Sequence, residues 1–165
     1  MSVNTKATAP VGRLRPRTSS EPPKIPAVTE AIIEGLRTVP IFATLDDDAI
    51  GRAAGIAGID EHARGSVLIE RGLPGAGLFV ILDGTVVIEL QHRTVELGPG
   101  EFVGELSLLS EHTTRSARVR AATDVRAIAI ARHEFVGLLN EHPQIAVAML
   151  PSLAQRLQDL IEHPA

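Results

Sequence analysis

The sequence predicts a mainly β chain: an antiparallel β-roll with a helical segment before it and two helices after it. Two changes of period predict this. Between residues 65 and 131 the apolar residues fall in short β-branched runs (SVLIERG, LFVILDG, TVVIEL, RTVEL, ARVRAAT, DVRAIAIA) punctuated by Gly72, Pro74-Gly75, Asp83-Gly84 and Gly98-Pro99-Gly100; many short strands at close spacing make a sandwich or barrel. On either side, apolar residues recur at helical spacing instead. Composition adds that hydrophobic residues make up 44% of the 165 and aromatics 2%, all Phe, so the core is one of Val, Ile, Leu and Ala.

Residues 1–26 (MSVNTKATAPVGRLRPRTSSEPPKIP) set Lys6, Arg13, Arg15, Arg17 and Lys24 against Glu21. Such a segment cannot bury enough apolar surface to offset its ordering entropy, so a disordered basic arm is expected, with one domain over 27–163. The stretch 27–37 carries Val28, Ile32, Ile33 and Leu36 on one helical face, and Thr38-Val39-Pro40 ends it. Asp46 is placed to cap a second helix, with Asp47 and Asp48 at its positive end; adjacent side chains point to different faces, so this triple acid is read as a cap rather than a metal site. Asp83-Gly84 signals a hairpin between LFVIL and TVVIEL. In ARVRA, Arg118 and Arg120 alternate with Val and Ala, giving one wet face and one dry. The helical period returns in RHEFVGLLNEH with Phe135, Leu138 and Leu139. It continues after Pro143, which suits a first turn, with Ile145, Met149, Leu150, Leu153, Leu157, Leu160 and Ile161. Pro151 is predicted to kink or split this last helix.

Several functions are excluded by composition. The net charge is −4 and the pI about 5.8, without the basic balance of a polyanion binder. There is no Cys, hence no disulfide, thiolate nucleophile or thiolate metal site. His62, His92, His112, His133, His142 and His163 are scattered, with no His-x-His, and Ser107 and Ser110 have no base beside them in sequence; neither a metalloenzyme nor a serine enzyme is expected. No apolar run is long enough to span a bilayer and no secretory h-region is present, so a cytoplasmic protein is expected.

The chemistry concentrates in Leu97–Thr123, LGPGEFVGELSLLSEHTTRSARVRAAT. Phe102-Val103 closes a strand, Gly104 lets a backbone approach closely, and Glu105–Leu109 can form one helical turn whose first amides make an anion site. Ten residues on, the planar fork of Arg115 can grip two phosphate oxygens, Ser116 adds a hydroxyl donor, and Ala117 leaves space. One carboxylate for a hydroxyl and one guanidinium for a phosphate describe a phosphorylated-sugar pocket. Were both groups buried, either a ligand or a mutual salt bridge would have to satisfy them.

GPGEFVGELSLL followed by RSARVRAAT resembles the phosphate-binding cassette of the cyclic nucleotide-binding domain family. Gly72, Phe79 and Gly84 fit that family's spacing, and VPIFATLDDDAI resembles the turn and helix before its β-roll, so the resemblance covers roughly residues 30–162. It implies the family's double-stranded β-helix, or jelly roll. It also implies that Glu105 takes the ribose 2′-hydroxyl and Arg115 the exocyclic phosphate oxygens. Phe102, Val103, Gly104, Leu106, Ser107, Ser116 and Ala117 would line the ligand. Thr114 stands where many members have Pro, which the bacterial activators of the family also often lack, and Ser116 after the Arg leans the choice towards cAMP over cGMP. Gly77 stands where an acid is common, which loosens that loop without touching the ligand. On the last helix, where the bacterial activators cap the base, Arg156 is the polar candidate.

The resemblance therefore implies a non-enzymatic sensor with cAMP or cGMP as ligand and no cofactor. Its last two helices would signal to another protein or form a homodimer. Only His163-Pro164-Ala165 follow the last helix, so direct DNA binding is not expected. The alternative expectation is the same fold used as a ligand-independent interaction module.

Overall fold

The structure is a computed structural model that describes residues 27–75, 77–105, 108 and 114–162. The basic arm 1–26, the candidates Leu106 and Ser107, and His112 and His163 lie outside the described residues.

Helix α1 (Ala27–Thr38) buries Ile32 and Leu36, one turn apart. A 3₁₀ turn, Pro40–Phe42, follows, and α2 (Asp47–Gly55) starts at Asp46, whose Oδ1 accepts from Ala49 N at 2.8 Å. Eight strands come next among the described residues: β1 (Ala57–His62), β2 (Val67–Ile69), β3 (Gly77–Asp83), β4 (Val86–Glu89), β5 (Thr94–Leu97), β6 (Phe102–Val103), β7 (Arg118–Ala121) and β8 (Val125–Ala131). Helices α3 (Arg132–Glu141) and α4 (Gln144–Glu162) complete the chain.

All pairings are antiparallel and nested. β1 pairs with β8, β2 with β7, β3 with β6, and β4 with β5. The strands are thus one long ribbon folded at the β4–β5 hairpin and rolled into two four-stranded sheets, β1-β8-β3-β6 and β2-β7-β4-β5. This is the expected jelly roll.

Alternation along the strands assigns side chains to two cores. Leu78 and Val80 of β3, with Ile128 and Ile130 of β8, pack against Leu36, Phe42, Phe135, Ile145 and Met149 from the helical layer. Ile81 and Ala127, from the same two strands, pack with Val86, Leu97, Val119 and Ala121 of the second sheet. The first sheet is therefore covered on both faces, which is why LFVIL and AIAIA read as unbroken apolar runs. In β7 Val119 and Ala121 are buried, while Arg120 Nε donates to Glu89 Oε1 at 2.9 Å and Arg118 Nε to Glu70 Oε1 at 2.9 Å on the outer face.

Three expectations are corrected. Asp83-Gly84 does not close a hairpin, because β3 and β4 belong to different sheets. It forms a corner where the ribbon bends. Gly84, at φ +85°, passes so close to Asp124 that a Cβ would stand 2.1 Å from its carbonyl oxygen, and Thr85 N donates to Thr123 Oγ1 at 2.9 Å. Of the kink or split expected at Pro151, the split does not occur, for α4 continues through it. The carbonyl freed by its missing N–H belongs to exposed Val147, where water can replace the bond. Finally, the β region begins earlier than residue 65. β1 (AGIDEH) has poor intrinsic β propensity and owes its conformation to pairing with β8 along its whole length.

Candidate functional site

β6 lies at the edge of the first sheet, in register with β3 (Phe79↔Val103, Val80↔Phe102). At its end Gly104 takes φ +98° and turns the chain, and of the short turn read from ELSLL the described residues Glu105 and Leu108 are helical. Glu105 is 2% exposed and Arg115 7%, the two buried charged residues among those described.

The Arg115 backbone is clamped by the loop before β3: Gly72 N donates to Arg115 O at 2.9 Å and Arg115 N to Leu73 O at 2.8 Å, beside a Pro74–Thr114 bridge. Its side chain is also held. Nη1 donates to Gly104 O at 2.9 Å and Nη2 to Gly77 O at 2.7 Å. Burial lowers the pKa of the guanidinium, and the field of Glu105 partly offsets this.

Glu105 pairs with Arg156 rather than with Arg115. Arg156 Nη1 donates to Glu105 Oε1 and Nη2 to Phe102 O, and the guanidinium lies 4.9 Å from the centroid of the Phe102 ring. One buried carboxylate thus sits near two guanidinium groups, while Glu96, Glu101 and Asp159 also line the cavity; what suits an anion is the Arg115 end, where no carboxylate of the described residues lies within hydrogen-bond distance.

These groups open on a cavity of about 740 Å³. One wall is the cassette: Phe102, Val103, Gly104, Glu105, Arg115, Ser116 and Ala117. The floor is aliphatic, from Ile69, Ile88, Val95, Leu97 and Val119, and the other wall is α4, with Ala148, Ser152, Gln155, Arg156 and Asp159. Every described candidate from the sequence lines this one cavity. An aliphatic lining with a cation and a carboxylate at one side can seat a ring system that carries a charged sugar phosphate.

Two features were not read from sequence. Gly77 does not merely loosen a loop: its carbonyl holds Arg115. Gln155 and Asp159 join Arg156 on the cavity side of α4, and Gln155 Nε2 donates to Asp159 Oδ1 at 2.9 Å. Helical spacing puts residues 152, 155, 156 and 159 on one face, but only the packing of α4 shows that this face is the cavity's. Among the described residues no three His, Asp or Glu side chains gather as a metal ion would need, and no helix is long and apolar enough to cross a membrane.

Residues 60–142 match the cyclic nucleotide-binding domain family, and the chain belongs to it. It is 35% identical over 92 residues to a cyclic nucleotide-gated potassium channel of Rhizobium etli, covering 56% of this chain and 26% of that protein. The fold is similar to that of the Thermus thermophilus catabolite activator protein (TM-score 0.65, 29% identity, 73% of this chain and 59% of that one). It is also similar to that of a cAMP-bound PfPKA-R fragment (TM-score 0.74, 22% identity, 82% of this chain and 47% of that one). The chain spans less than a third of the length of the curated relatives it matches, fungal lysophospholipases among them.

Proposed function

We propose that this chain is a non-catalytic sensor that binds cAMP, in preference to cGMP, and relays binding through α4. The observation that carries the proposal is the buried Arg115 guanidinium. It is fixed by two backbone carbonyls, has no carboxylate at hydrogen-bond distance among the described residues, and opens on a cavity that also holds the buried Glu105. A fixed, unneutralised fork suits a phosphodiester anion, and a buried carboxylate beside it suits a vicinal hydroxyl. The cyclic nucleotide-gated relative supports the ligand class.

The relay rests on Arg156. It joins α4 to Glu105, so a ligand hydroxyl that takes Glu105 alters what holds the helix. The outer face of α4 carries exposed Val147, Leu150, Leu157 and Ile161, an uncharged stripe that a partner protein or a second copy would cover. The same ion pair favours a second reading. A carboxylate already satisfied by Arg156 also suits an interaction module that binds no nucleotide.

Calorimetry with cAMP, cGMP and 5′-AMP separates the two. The sensor reading expects cAMP to bind most tightly. It also expects Arg115→Ala to lose about 2–5 kcal/mol of affinity, the scale for removing one partner of a buried charged contact. Folded protein silent at millimolar cAMP leaves the interaction module standing. An Arg115→Ala protein that binds as wild type does removes the phosphate site.

A further inference from the structure

We infer that Gly77 and Gly104 are positioning residues for Arg115: a pair of backbone carbonyls fixes the guanidinium where a carboxylate would have neutralised it. The inference deepens the nucleotide reading and, in its ligand-binding part, rests on it.

The two carbonyls come from neighbouring ends of paired strands, Gly77 O at the start of β3 and Gly104 O just after β6, and each takes one Nη of the fork at 2.7 and 2.9 Å. Both positions exclude a side chain. A Cβ on Gly77 would lie 2.5 Å from Ile130 O, because β3 and β8 run backbone against backbone there. A Cβ on Gly104 would lie 2.5 Å from Arg115 Nη1 and 2.6 Å from Gly77 O, and its φ of +98° disfavours any residue but glycine. Gly77, Gly104 and Arg115 are therefore one interlocked unit, in which a methyl group at residue 104 would displace the guanidinium itself.

The consequence is electrostatic. A carbonyl carries a partial charge, so it can orient a guanidinium without cancelling it. Glu105, the carboxylate whose field reaches Arg115, is spent on Arg156. A buried cation that is oriented by carbonyls and, among the described residues, offset only by the field of Glu105 is costly until an anion arrives, and the fork is already in place when it does.

Nitrogen-15 spectra of the arginine side chains test the clamp in the full chain without any ligand. The Arg115 Nη signals should be resolved and slow to exchange, unlike those of exposed Arg64. In Gly104→Ala they should collapse to the averaged, fast-exchanging pattern while the amide spectrum stays folded, and cAMP affinity should fall about tenfold or more, as for losing a hydrogen bond to a charged group. A Gly104→Ala protein that keeps both the signals and the affinity overturns the inference. If that variant does not fold, the wild-type spectrum decides alone, and Arg115 signals averaged like those of Arg64 refute the clamp. If wild type binds no cAMP, the nucleotide reading fails, and the spectra still decide the clamp.

Discussion

Arg115 and Glu105 hold their charges in different ways. Arg115 is satisfied by main-chain oxygens, whereas Glu105 shares its charge with Arg156. Glu105→Gln keeps the shape and an acceptor but removes the ion pair, so it should cost less nucleotide affinity than Arg115→Ala. It should also weaken the preference for cAMP over its 2′-deoxy analogue, since a neutral amide oxygen accepts from the hydroxyl less strongly than a carboxylate. Equal binding of the two ligands by wild type would remove Glu105 from the sugar site. Both residues could be read from sequence, since a lone acid and an arginine ten positions apart flank glycine-bearing turns. That Arg156 would reach back to Glu105 could not, because 51 residues separate them.

Among the elements, α4 is attached unevenly along its length. Ile145 and Met149 are its buried residues, and beyond Met149 most side chains are exposed. Arg156, bonded to Glu105 and Phe102 O, is the main polar tie of the distal turns. Arg156→Ala should therefore raise amide hydrogen exchange over residues 153–162, leaving β3 and β8 as protected as in wild type. Unchanged exchange in those turns would show that Leu153, packed on the helical core, holds them without the ion pair. The local signals were of unequal value. The Asp46 cap works within its own few residues and was legible. Asp83-Gly84 marked a turn between LFVIL and TVVIEL, and Gly84 takes φ +85° there, but whether those two strands pair depends on the roll of the whole ribbon, and they do not.

At the scale of the molecule, the first sheet belongs to both cores. Ile128 faces the helical layer and Ile81 the second sheet, and both are fully buried. The two cores should therefore unfold as one unit. Ile128→Ala and Ile81→Ala should each cost about 2–5 kcal/mol and shift a single denaturation midpoint seen alike by helix and sheet signals. Two separable transitions would show that the helical layer folds apart from the roll.

By itself the sequence determined the succession of helix, strands and helices, the cassette and the family, because period, turn residues and a contiguous motif are all local in the chain. Tertiary structure alone decided that β1 is a strand, that Gln155 and Asp159 of α4 face the cavity, that Arg156 takes Glu105 and that the carbonyls of Gly77 and Gly104 hold Arg115. The physical reason is common to all four. Each depends on groups far apart in sequence meeting in space, and main-chain carbonyls, present at every position, leave no mark in the sequence where they are used.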